Sequence, residues 1–285
     1  MTILATPGWA DYELIDSGNG FRFERFGKYK LVRPDPQIIW KPLLGKKDWD
    51  QADAVFENER WVNKNNVPAK WLMKFENLSF WAELSPFKHT GVFPEQSLQW
   101  QWMEKKIKDA NRPLNVLNLF AYTGIASLVA AAAGAKVTHV DASRPTIGWA
   151  RENQTASKLA EKPIRWILDD CLKFVQRETN RGVKYDGIIM DPPIYGHGPN
   201  GERWNFSESF PQLLDACRKV LSEKPVFVII NAYAISSSAL MLENMLKDFT
   251  KGLGGEIEVG ELALQEKTSD RLLSTGIFSR WTNMV

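Results

Sequence analysis

The chain has 285 residues, 44% of them hydrophobic and 25% charged, the balance of a folded soluble protein in which no apolar run approaches the roughly 18 to 20 residues of a membrane span. Thirty-six Lys and Arg against thirty-four Asp and Glu leave a formal charge of +2, which by itself argues neither for nor against nucleic acid. Cys171 and Cys217 are the two cysteines, too few for a disulfide framework and not spaced as zinc ligands, so no metal is expected.

The opening MTILATPGWADYELID lacks the basic and long apolar stretches of a secretory signal, which predicts a cytoplasmic protein or one of an organelle matrix. From residue 11 to about 88, polar and apolar positions alternate around turn signals such as Gly18-Asn19-Gly20 and Val67-Pro68, the pattern of short strands. A small β-rich N-terminal domain is expected over 1–88, with a second domain over 89–285. Twelve tryptophans are many for this length. Those at Trp40, Trp49, Trp61, Trp71 and Trp81 either fill a small core or form a face on which bases stack. Arg22, Arg25, Lys28, Lys30 and Arg33 form either a basic surface for nucleic acid or a solvated strand face.

Near residue 94 the texture changes. A helix is expected over 95–109, followed by strands at 114–120, 135–141, 164–168, 185–190 and 226–231. Helices at 122–133, 145–158, 171–179, 207–221 and 236–249 alternate with them. Two last β segments, 255–264 and 273–281, suggest an antiparallel hairpin at one sheet edge. The fold class is α/β: a doubly wound, mostly parallel sheet whose ligand sits at the carboxyl ends of the strands, near the topological switch point.

The segment LNVLNLFAYTGIASLVAAAAGAKVTHVDAS is a strand, a turn, an Ala-rich helix and a second strand. In the turn, Phe120 to Gly124 (with Tyr122 and Thr123) can approach a ligand closely because Gly124 has no side chain. Asp141 ends the second strand, where its carboxylate can accept both ribose hydroxyls of an adenosine, and Ala142 and Ser143 follow in the same site. A dinucleotide would require G-x-G-x-x-G for its pyrophosphate, whereas Ala121-Tyr122-Thr123-Gly124 has one glycine and bulky neighbours. At the next strand end, Asp170, or alternatively Asp169, can reach the adenine amino group, or both cap the following helix.

Asp191-Pro192-Pro193 directly follows the fourth strand. Its prolines force an extended turn that presents main-chain carbonyls to the cleft. An acid and a carbonyl aimed at one point can bind an amino group and favour the positive charge that develops on it. Tyr195 is placed to stack on a planar substrate, Asn231 or Tyr233 to shape the acceptor pocket, and His197 is a general base or merely solvated.

Taken together, these segments resemble the bacterial large-subunit ribosomal RNA methyltransferase family, class I enzymes dependent on S-adenosylmethionine (SAM). The resemblance covers His89-Thr90-Gly91-Val92-Phe93-Pro94-Glu95-Gln96, the Phe120 to Gly124 loop, Asp191-Pro192-Pro193, and Thr275-Gly276-Ile277 to Arg280-Trp281. It implies a Rossmann-like methyltransferase domain, SAM as cofactor, Phe93 and Gln96 near its methionine end, and a ribosomal RNA base as acceptor. Family members that modify cytosine C5 carry cysteines on the loops after the fourth and fifth strands. Here those loops read Asp191-Pro192-Pro193-Ile194-Tyr195 and Asn231-Ala232-Tyr233, so transfer to nitrogen is expected instead. The competing readings are a SAM-dependent enzyme acting on a protein or small molecule, and a non-catalytic RNA-binding scaffold.

Overall fold

A computed structural model describes residues 1–233 and 237–283. They form two compact units. The larger takes Met1–Leu4, Leu98–Leu262 and Thr275–Val285, and the smaller takes Ala5–Ser97 and Ala263–Ser274.

In chain order the first elements are β1 (Thr2–Thr6), β2 (Tyr12–Gly18), β3 (Phe21–Phe26), β4 (Tyr29–Pro34), a one-turn helix α1 (Lys46–Trp49), β5 (Ala54–Glu57), β6 (Arg60–Asn63), β7 (Lys70–Phe75) and β8 (Leu78–Glu83). Strands β2 to β6 make a five-stranded sheet, and β7 and β8 a separate hairpin. At the β2–β3 turn Asn19 and Gly20 are both left-handed, the Asn-Gly geometry that matches strand twist. Tyr12, Leu14, Phe23, Phe26, Leu31, Met73 and Phe80 are buried in this unit.

None of the five early tryptophans is exposed. The indoles of Trp40, Trp49, Trp61 and Trp71 donate to Ser17 Oγ, Asp16 Oδ2, the Phe87 carbonyl and the Phe26 carbonyl. They fill and tie the unit, and the base-stacking alternative falls.

Neither expectation for the basic strand residues holds for the arginines. Arg33 grips Glu24 with two parallel bonds of 2.7 and 2.8 Å, Arg22 pairs with Asp35, and Arg25 pairs with Glu13 at 3.1 Å. Glu24 is 0% exposed and also accepts from the Tyr12 hydroxyl at 2.8 Å. Burial pushes the Glu24 carboxyl up, but the guanidiniums of Arg33 and Arg22 outweigh it and hold the group below its ordinary value. The three arginines are therefore each paired with an acid inside the unit.

The chain's distant end completes the same unit. Leu14 bridges to Glu266, Glu266 accepts from Ser17 Oγ at 2.5 Å, and Lys267 reaches Glu13 at 2.6 Å.

A single 3-10 turn (Pro94–Gln96) precedes α2 (Ser97–Asp109). Then follow β9 (Asn115–Leu119), α3 (Ile125–Ala132), β10 (Lys136–Asp141), α4 (Arg144–Ala156), β11 (Ile164–Leu168), α5 (Cys171–Asn180), β12 (Gly187–Met190), β13 (Tyr195–His197), β14 (Arg203–Asn205), α6 (Phe206–Val220), β15 (Phe227–Ala232), α7 (Ala239–Phe249), β16 (Glu256–Gln265) and β17 (Leu272–Thr282). Of the helix expected over 236–249, Ser236 lies outside the described residues.

The main sheet runs β1-β16-β17-β15-β12-β9-β10-β11. Strands β15, β12, β9, β10 and β11 are parallel, and β17 is antiparallel to β15. Chain order reverses between β9 and β12, which is the switch point. The C-terminal pair is not at the edge as expected, because β1 lies outside β16. The backbone approaches so closely there that a Cβ on Gly260 would stand 1.6 Å from the Thr2 carbonyl oxygen.

Leu117, Leu119, Ile188, Met190, Val228 and Ile230 meet Phe174 of α5, Phe210 and Leu213 of α6, and Leu242 and Leu246 of α7 in one buried cluster. Among the described residues no helix is long and apolar enough to cross a membrane.

On β10, His139 is fully buried, with Ser127 Oγ 3.1 Å from its Nδ1 and Asn118 donating to that hydroxyl at 3.0 Å. Burial pushes the imidazole down to about 3, while an unfolded histidine titrates near pH 6.5. Between those values the unfolded chain binds the extra proton, so stability falls with acidification by about 1.4 kcal/mol per pH unit below 6.5. Urea unfolding at pH 7 and pH 5 should show a loss that shrinks by about 2 kcal/mol in His139→Gln. An unchanged acid slope in that variant would exclude His139 as its source.

Candidate active site

The carboxyl ends of β9, β10, β11 and β12 meet at the switch point. Beyond β9 the backbone is left-handed at Phe120 (φ 55°), Tyr122 (φ 50°) and Gly124 (φ 84°). A side chain in that region costs about 1 to 3 kcal/mol and persists only where surrounding bonds impose it. Here they do. Ala121 N–H donates to the Val140 carbonyl at 3.1 Å, Tyr122 N–H to Asp141 Oδ2 at 2.8 Å, and the buried Asn153 side chain to the Thr123 carbonyl at 2.9 Å. These left-handed residues delay α3 to Ile125, three residues after its expected start. A Cβ on Gly124 would lie 2.9 Å from that of Ala150, so no larger residue fits at the helix start.

Asp141 is the hub of this loop. Its Oδ1 accepts from Ser143 N–H at 2.8 Å and Thr146 Oγ1 at 3.0 Å, and its Oδ2 accepts from Tyr122 N–H at 2.8 Å. Burial pushes the Asp141 carboxyl up despite these donors. Ala142 continues the turn, and Ser143 caps α4 through Thr146 N–H. At the end of β11, Asp170 caps α5, accepting from Lys173 N–H at 2.9 Å, and Asp169 pairs with Arg177.

Met190 of β12 leads into Asp191-Pro192-Pro193, with Asp191 half-buried and Pro192 buried. The Pro193 carbonyl accepts from the Trp204 indole at 2.7 Å. The buried Trp204 ring also meets the Phe120 ring edge-on, with centroids 4.7 Å apart. One side chain thus braces the Phe120–Gly124 loop against the proline turn.

Trp204 belongs to a two-stranded ribbon, β13 with β14. The turn residues Pro199-Asn200-Gly201 between Tyr195-Gly196-His197 and Arg203-Trp204-Asn205 were the overlooked signal. Lys173 fastens the ribbon by a 2.8 Å bond to Glu202 and holds that carboxyl down to about 2. Tyr195 is 73% exposed on the ribbon, and His197 is exposed too.

Asn231 is 1% exposed. Its Oδ1 accepts from Gln99 Nε2 at 3.2 Å, so that oxygen faces α2. Phe93 and Gln96 belong to the smaller unit, Phe93 preceding the 3-10 turn and the buried Gln96 ending it. Both cysteines are buried and free, and burial raises both thiols, which removes them as thiolate nucleophiles.

Residues 53–249 match the model of the S-adenosylmethionine-dependent methyltransferase family. The chain is similar to a ribosomal RNA large subunit methyltransferase K/L of Pseudoalteromonas atlantica, with 31% identity over 84% of this chain and 30% of that protein. It is also similar to the protein of the same description from Shewanella frigidimarina, with 34% identity over 70% of this chain and 26% of that protein. It therefore spans less than a third of the length of these curated relatives. A solved SAM-dependent methyltransferase of Agrobacterium tumefaciens superposes with a TM-score of 0.97 at 45% identity, over 99% of this chain and 93% of that one. Strand order, switch-point loop and sequence likeness agree, and the chain belongs to the S-adenosylmethionine-dependent methyltransferase family.

Proposed function

We propose that this methyltransferase modifies a base of ribosomal RNA in the cytoplasm, at a nitrogen and not at cytosine C5. The observation that carries the reading is the brace at Trp204, which holds the Phe120 loop and the Asp191 turn in one fixed arrangement. Ribosomal RNA as the acceptor is supported by the descriptions of the curated relatives. The absence of an available thiolate favours nitrogen, because C5 must first be activated by covalent addition.

The larger unit fits the adenosine half of SAM. Gly124 lets the loop turn in the left-handed region tight against Ala150, Asp141 would offer an acceptor for a ribose hydroxyl, and Phe120, Tyr122, Thr123, Ala142 and Ser143 would form the walls. Asp170, whose Oδ1 caps α5, is the acid assigned to the adenine amino group. When bound, SAM supplies an electrophilic methyl group on a sulfonium. Asp191 and the Pro192 carbonyl would accept hydrogen bonds from the acceptor amine, turning its lone pair toward that methyl and favouring the charge that develops on nitrogen. Tyr195 would stack on the base.

Mass spectrometry of RNA nucleosides from a strain lacking the gene tests this, with the expected loss of one N-methylated base. An unchanged RNA profile would move the acceptor to a protein or small molecule. Failure to bind SAM in a calorimetric titration would leave only the scaffold reading.

A further inference from the structure

Four polar side chains form a chain of hydrogen bonds in the larger unit, running inward from the partly exposed Glu258. Glu258 accepts from Arg280 Nε at 2.7 Å, Arg280 Nη1 donates to Gln99 Oε1 at 2.9 Å, and Gln99 Nε2 donates to Asn231 Oδ1 at 3.2 Å. Gln99, Asn231 and Arg280 are all buried. The guanidinium lies over the Trp102 ring, 4.6 Å from its centroid, and β17 places Arg280 opposite Ile229 and Phe278 opposite Asn231.

Such a chain has a direction. An amide is nearly symmetric in shape and can turn over, exchanging oxygen for NH2, but a guanidinium only donates. Arg280 therefore fixes the oxygen of Gln99 toward itself. Gln99 must then offer NH2 to Asn231, and Asn231 must keep its oxygen toward Gln99 and its own NH2 on the other side. Without the cation, both amides could turn over together at little cost. Asn231 follows Ile230, which pairs with Met190, and Met190 precedes Asp191. The strand register thus brings Asn231 level with the proline turn.

We propose that Gln99 and Arg280 are positioning residues that hold Asn231 as an N–H donor beside the Asp191 turn, selecting substrates that bring a hydrogen-bond acceptor, a carbonyl or ring nitrogen, to that point. The inference rests on the acceptor site proposed above. It assigns specificity to a polarity set by a residue that touches neither substrate nor cofactor.

Gln99→Glu is the decisive variant. A carboxylate keeps the bond to Arg280 but cannot donate, so Asn231 turns over and presents its oxygen. Gln99→Met removes both polar ends and leaves Asn231 unbiased. Methyl transfer to RNA from the deletion strain should fall about a hundredfold in kcat for Gln99→Glu and about tenfold for Gln99→Met, with SAM affinity within twofold in both. A merely structural role predicts the reverse order, because Gln99→Glu preserves the buried pairing that Gln99→Met breaks. In protein labelled with 15N-asparagine, the Asn231 side-chain signal, assigned by its loss in Asn231→Asp, should move downfield and resist hydrogen exchange in Gln99→Glu. Its failure to move, or full transfer by Gln99→Glu, would overturn the proposal. If wild-type protein transfers nothing to RNA, the acceptor reading fails, and the NMR arm still decides the polarity.

Discussion

Asp191→Ala is expected to lower methyl transfer about a thousandfold while SAM affinity stays within about twofold. The turn after β12 holds Asp191 half-buried, flanked by the buried Pro192, and in the acceptor site proposed above its negative oxygen would lie where the acceptor nitrogen becomes positive. A preorganised charge in a site shielded from water acts on the transition state more than on the bound cofactor. Asp191→Asn keeps an acceptor oxygen and removes the charge, and should fall between wild type and alanine. Calorimetric titration with SAM and transfer of a radiolabelled methyl group to RNA separate the two effects. Lost cofactor binding with retained turnover would reverse the assigned roles.

Arg33→Met is expected to destabilise the protein by about 3 to 5 kcal/mol. It would leave the carboxylate of Glu24, which is fully buried, with the Tyr12 hydroxyl and the neighbouring Arg22 charge but without its two strongest donors. The double change Glu24→Leu with Arg33→Met removes both charges and should recover most of that loss, since an apolar pair of similar volume is often neutral. Lys30→Met, at an exposed bond to Gln51, should change stability by less than about 0.5 kcal/mol. Urea unfolding distinguishes these outcomes. An Arg33 variant that stays stable but loses RNA affinity would restore the stripe as a nucleic-acid surface.

The alternation of strands and helices beyond residue 94 was legible because parallel strands buried on both faces read as short apolar runs, such as Gly187–Met190 with every residue buried. The Asp141 strand end and the Asp191 turn were legible for the same reason, since each directly follows such a run. Other features depended on partners distant in sequence. Arg22, Arg25 and Arg33 read as a basic cluster on two neighbouring strands, and only their spatial neighbours Asp35, Glu13 and Glu24 show them to be paired. Asn231 reads as a loop residue at a strand end, but Gln99, 132 positions away, accounts for its burial. Trp204 lies eleven positions beyond the carbonyl it holds, in a ribbon too short for periodicity to reveal.

The bonds from Glu13, Leu14 and Ser17 to residues 266 and 267 bear on how the protein is made. Ser17 and Glu266 are 249 positions apart, and at roughly 5 to 20 residues per second a ribosome takes on the order of 10 to 50 seconds to travel between them. Throughout that interval the nascent amino-terminal module waits with a strand rim unmatched and Glu13 without its lysine. Its maturation is deferred until residues 266 and 267 have been made, so a chain truncated before them would be a ready client for chaperones and proteases.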